Sequence, residues 1–78
     1  MDPISILVVD DESGIALLCK RILTRAGYAV ASLTDPRLAV EWLKQNKADL
    51  LLVDIRMPEV DGFEVVAHAR RLQPDLAI

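Results

Sequence analysis

Ile6-Leu7-Val8-Val9-Asp10-Asp11-Glu12 sets four consecutive apolar residues directly against three carboxylates. An unbroken apolar run of this length suits a strand covered on both faces of a parallel sheet, whereas a half-buried strand alternates. The pattern returns at Leu50-Leu51-Leu52-Val53, which runs into Asp54. Between the two lies a weaker run, Tyr28-Ala29-Val30-Ala31-Ser32-Leu33, suited to an edge strand.

The segments between these runs carry a helical period. Ile15, Leu18, Cys19, Ile22, Leu23 and Ala26 recur at the spacing of one amphipathic stripe. Ser13 as N-cap and Gly27 as left-handed stop predict a helix from about Gly14 to Ala26, with Lys20, Arg21 and Arg25 suiting its C-terminal dipole. Asp35 as cap and Pro36 at the first helical position open a second helix. Its buried face is Leu38, Ala39, Trp42 and Leu43, and it ends at Gln45-Asn46-Lys47. After the loop Met57–Gly62, Asp61 and Glu64 are spaced as a capping box for a third helix. There Val65, Val66, Ala69 and Leu72 are expected to point inward, and Pro74 closes it. Leu76-Ala77-Ile78 reads as the start of a fourth strand. The alternation predicts an α/β fold with a doubly wound parallel sheet, all within one domain.

Composition narrows the function. The 78 residues are 53% apolar and 27% charged, with a net charge of −3 and a pI near 4.9. Such a chain is too apolar for a disordered tail and has no basic run for sequence-independent binding to nucleic acid. No apolar stretch approaches the roughly 18 residues of a spanning helix. Met1-Asp2-Pro3 lacks the basic start of a secretory leader. A lone Cys19 forms no internal disulfide, so the expectation is a cytoplasmic protein.

The acids fall where ligands gather. In a parallel sheet all strands end at one edge, and that edge is the usual ligand site. Right-handed crossovers allow the first and third strands to be neighbours, with the second on the other side of the first, in the order 2-1-3. Neighbouring strands lie about 4.8 Å apart, which brings Asp10, Asp11 and Asp54 within reach of one another. Two unit charges at 4 Å repel by roughly 4 kcal/mol at an effective dielectric near 20. Either one carboxyl is protonated or a cation is bound, and a few hard, partly exposed oxygens suit Mg²⁺. Either acid group alone is better explained as a helix-end or loop cluster; their joint placement favours a site.

Ile6 to Glu12, then Leu51-Leu52-Val53-Asp54-Ile55-Arg56-Met57-Pro58, then Asp61-Gly62-Phe63-Glu64, together resemble the receiver domain of two-component response regulators. The resemblance follows the chain in order and spacing, and it implies the flavodoxin-like receiver fold with a fourth strand only begun. Residues 1–78 would then be the N-terminal part of a single receiver domain. It also implies that Asp54 is the phosphoacceptor, taking a phosphoryl group from a histidine of a sensor kinase to switch an output domain or partner. Asp10, Asp11, Asp54 and the main-chain carbonyl of Arg56 would hold Mg²⁺, Asp11 directly and Asp10 largely through water. The resemblance further implies a signalling role rather than an enzymatic one. The family's Ser or Thr after its fourth strand and Lys after its fifth fall outside these residues.

The same residues bear on other functions. A dehalogenase-type phosphotransferase wants a second Asp two residues after the nucleophile, where Arg56 stands. A dinucleotide module needs a Gly-rich first turn, and Asp10-Asp11-Glu12 would repel the pyrophosphate. The remaining alternative is a degenerate or truncated receiver that serves only as an interaction or dimerisation module. An apolar edge at Leu50–Val53 and a first helix short of a neighbour predict self-association, including domain exchange, or a longer native chain. His68 reads as a surface histidine, Cys19 as a buried thiol and Arg70-Arg71 as a solvated pair.

Overall fold

The computed structural model describes residues 3–54 and 62–78, in the order β1 (Ser5–Val9), α1 (Ser13–Arg25), β2 (Ala29–Leu33), α2 (Arg37–Gln45), β3 (Leu50–Val53) and α3 (Gly62–Leu72). All three strands are parallel and ordered β2-β1-β3. The doubly wound arrangement expected from the apolar runs is the one observed. Pairing of Val9 with Leu33 on one side and Val53 on the other aligns the three strand ends. Ala77 adds an isolated parallel bridge to Leu50, where the fourth strand was expected to begin.

One face of the sheet is finished. Leu7, Val9 and Leu51 are buried against Ala39 and Leu43 of α2, Val65 and Ala69 of α3, and Ala48 and Leu76. Trp42 packs partly buried on this core, as its place in the α2 stripe implied. Leu38 and Leu72, both expected inside, are exposed. Leu38 is turned by about 100° from Ala39, and Leu72 lies in the final turn of α3, so each leaves the shared contact surface.

On the other face, among the described residues, the cover is α1. Ile6 and Val8 are buried under α1, which packs on β1 and β2. Leu52, the partner of Val8, is 40% exposed, so β3 is covered on one face and not on both as its apolar run suggested. Of the α1 stripe, Cys19 and Leu23 are half-buried and Ile15, Leu18, Ile22 and Ala26 are exposed, while the buried residue of the helix is Ala16, which the stripe did not include. The buried arc is set by where the helix sits on the sheet, and the stripe is wider than that arc.

Helix ends explain the small shifts in boundary. Asp10 accepts the Glu12 N–H at 3.0 Å, and the Ala16 N–H bonds to the Glu12 carbonyl. This tightens the turn, so α1 begins at Ser13 with Glu12 as the cap residue, one position before the expected start. At the other end Gly27 has φ +101, the left-handed stop its residue type announced. Tyr28 donates to the Leu23 carbonyl as part of that exit, and β2 begins at Ala29. Asp35 accepts the Arg37 N–H at 3.0 Å while Pro36 already has helical torsions, which is the capping arrangement expected. The Arg37 guanidinium also grips the Asp35 carboxylate in a fork and holds its carboxyl below the usual carboxylate range. Asp61, the expected cap of α3, and Pro58 lie outside the described residues.

Gln73, just past α3, was not marked by any sequence pattern. Its amide nitrogen donates to the carbonyls of Leu43 at 2.9 Å and Asn46 at 2.8 Å, and its oxygen accepts the Ala48 N–H at 3.0 Å. One side chain thus satisfies the C-terminal carbonyls of α2 and the entry to β3. Gln73→Ala is expected to lower stability by about 2 kcal/mol in urea unfolding, with Gln73→Glu at least as damaging because it turns an oxygen toward two carbonyls. Gly27→Ala is expected to cost about 1–2 kcal/mol in the same assay, from backbone torsion alone, since no atom lies within 4 Å of the added methyl.

Candidate functional site

The parallel ladder runs one residue past each strand toward the acids. The Asp10 N–H donates to the Leu33 carbonyl of β2 at 3.1 Å, and the Asp54 N–H donates to the Val9 carbonyl of β1 at 3.0 Å. Asp10 and Asp54 therefore leave adjacent strands at the same level. Asp11 follows in the turn before α1. One oxygen from each of Asp10, Asp11 and Asp54 lies within 4.8 Å of the other two. Asp10 and Asp54 are half-buried and Asp11 is exposed.

Three carboxylate oxygens this close repel, by roughly 3.5 kcal/mol for each fully charged pair at an effective dielectric near 20. The donor set is all hard oxygen and opens to solvent on one side. That fits a small divalent cation which retains several waters. The Asp10 carboxylate accepts the Glu12 N–H, which orients it through the backbone of the turn. Among the described residues this is the one cluster of three potential metal-ligating side chains. The expected carbonyl ligand of Arg56, together with Met57 and Pro58, lies outside the described residues.

A cleft of about 200 Å³ includes two of the acids, Asp10 and Asp54, in its lining, together with Val8, Val9, Leu52 and Val53 of the strands and Cys19 of α1. Cys19, expected buried, is only half-buried because it faces this cleft. Its nearness to Asp54 was not legible in the sequence, where the stripe gave the thiol's helical phase but not the strand it faces. His68 is exposed, and Arg70 and Arg71 are solvated in the last turn of α3, as expected. No helix among the described residues is long and apolar enough to cross a membrane.

Residues 6–78 match the family model of the response regulator receiver domain. The chemotaxis protein CheY of Thermotoga maritima is 38% identical over 74 residues, which cover 94% of this chain and 62% of CheY. A CheY-like receiver domain protein from Methanospirillum hungatei superposes with a TM-score of 0.92 at 29% identity, covering 96% of this chain and 60% of that one. Response regulator TrrA of Thermotoga maritima, solved in complex with Mg²⁺ and BeF, superposes at 0.86 with 34% identity over 94% of this chain and 64% of TrrA. TrrA has also been solved in complex with the histidine kinase ThkA. The chain thus spans about three-fifths of the length of these relatives. With an acidic cluster at the ends of β1 and β3, a 2-1-3 parallel sheet and a match over residues 6–78, the chain belongs to the response regulator receiver domain family of two-component systems.

Proposed function

We propose that this protein is a cytoplasmic phosphoacceptor in a two-component pathway, charged at Asp54 by a sensor histidine kinase with Mg²⁺ bound, and that the stretch is the N-terminal part of a single receiver domain. The observation that carries the reading is the meeting of Asp10, Asp11 and Asp54 within 4.8 Å at adjoining strand ends. TrrA, similar in fold and sequence, is solved both with Mg²⁺ and BeF and with a histidine kinase, which supports the same pairing of partners here.

In the proposed reaction a carboxylate oxygen of Asp54 attacks the phosphorus of a phosphohistidine. The new P–O bond forms as the P–N bond breaks, and the imidazole leaves with its electron pair and is protonated from solvent. Transfer of this kind depends mostly on positioning and on neutralising charge. Asp54 is positioned by the bond from its N–H to the Val9 carbonyl, which fixes its main chain to the central strand. Asp10, Asp11 and Asp54, with the Arg56 carbonyl, would hold the Mg²⁺. When bound, that ion offsets repulsion between the anionic nucleophile and the anionic phosphoryl group. The product is an aspartyl phosphate, a signal read by an output domain or downstream protein rather than a released product, so the protein acts as a signalling domain.

Incubation with acetyl phosphate and Mg²⁺ is expected to add one phosphoryl mass at Asp54, labile to hydroxylamine. Asp54→Asn should abolish it, as should chelation of the metal. A folded protein, longer form included, that gains no such adduct would favour the interaction-module reading instead. Asp11→Asn is expected to weaken Mg²⁺ binding by about tenfold or more, read by titration with the ion, because it removes one of three anionic ligands.

A further inference from the structure

The end of the sheet away from the acids is held by a carboxylate. The Asp49 N–H donates to the Ser5 carbonyl at 2.7 Å, and the Asp49 Oδ2 accepts the Ser5 N–H at 2.8 Å. Both main-chain groups of Ser5 are thus bonded to one residue, in a closed ring where β1 and β3 begin. The Asp49 carbonyl in turn accepts the Ala77 N–H at 3.1 Å. A slip of one or two residues would bring Lys47, Ala48, Leu50 or Leu51 opposite Ser5, and none of these side chains carries an acceptor.

The apolar runs do not by themselves fix this register. Ile6 to Val9 and Leu50 to Val53 are apolar throughout, so within them a shift of two residues keeps the same faces inward and sets apolar against apolar. Such a shift would carry Asp54 about 6.6 Å along the strand from its place beside Asp10. The register is therefore decided where the runs end and polar groups begin. At one end, three carboxylate oxygens within 4.8 Å repel and favour separation. At the other, the ring of Asp49 with Ser5 attracts, and only at this register. We propose that Asp49 is a positioning residue for the acidic cluster, a role that rests on the Mg²⁺ site proposed above: its ring with Ser5 pins β3 against β1 and holds Asp54 level with Asp10. Asp49 acts from about 16 Å along the strand and touches neither the ion nor the phosphoryl group.

Mg²⁺ titration of the whole protein tests it, with urea unfolding and amide exchange on the same samples. Asp49→Ala is expected to weaken Mg²⁺ binding about threefold or more in the folded protein. Asp49→Asn keeps an oxygen acceptor and should bind within about twofold of the wild type. It loses the same charge as Asp49→Ala, so the difference between the two reads the hydrogen bond. Ser5→Pro removes the donor of that bond at a strand start, where proline is tolerated, and should match Asp49→Ala, including where the latter fails to fold. Gln73→Ala, which frees Leu43, Asn46 and Ala48 at the same end of the sheet, should lower stability and leave Mg²⁺ affinity unchanged. Exchange of the Asp54 N–H should quicken in Asp49→Ala relative to the amides of α2. Equal Mg²⁺ affinity in Asp49→Ala and Asp49→Asn overturns the proposal, as does a loss of affinity shared with Gln73→Ala. A wild type that binds no Mg²⁺ overturns the metal site instead, and unchanged exchange at Asp54 then overturns the register role as well.

Discussion

Parallel pairing of β1 with β3 is the constraint on which both the core and the acidic cluster depend. The register that sets Leu7 beside Leu51 and Val9 beside Val53 buries three of these four side chains or nearly so. The same register, carried one residue further by the bond from the Asp54 N–H to the Val9 carbonyl, places Asp54 level with Asp10. Apolar burial below the strand ends and charge repulsion above them are therefore two consequences of one ladder. A one-residue slip would turn the apolar set to the wrong face and separate the carboxylates at once.

The described residues cover the two faces of the sheet unequally. Under α2 and α3, nine side chains of the described residues close into one buried cluster, and Gln73 ties the end of α2 to the entry of β3. Under α1 the cover reaches β1 and β2 but leaves Leu52 and the cleft beside Cys19 open, directly below Asp10 and Asp54. Exposed apolar surface on a strand-flanking helix is surface that a second polypeptide can bury, and here it lies next to the acids.

Much of this was legible in the residues, for reasons that are local. Unbroken apolar runs at Ile6–Val9 and Leu50–Val53 identified parallel strands, and the weaker Ala29–Leu33 segment identified the edge. Gly27 announced its positive φ, and Asp35-Pro36 its cap. The acids were visible as a group because strand ends in a parallel sheet share an edge. What misled was helical periodicity, which reports that a stripe is apolar but not how much of it meets a neighbour. Leu18, Ile22, Leu38 and Leu72 all satisfied the period and are all exposed.

Chain order and residue type by themselves determined the α/β class, the element order and the arrival of Asp10, Asp11 and Asp54 at one rim, since these follow from apolar runs, turn residues and the handedness of crossovers. Only the tertiary structure decided the approach of the three carboxylates to within 4.8 Å, the exposure of Ile15, Leu18, Ile22 and Ala26 in the α1 stripe, and the clamp made by Gln73. Each of those depends on contacts between residues far apart in the chain. Local periodicity carries no information about such distances, which are set by how the helices seat on the sheet.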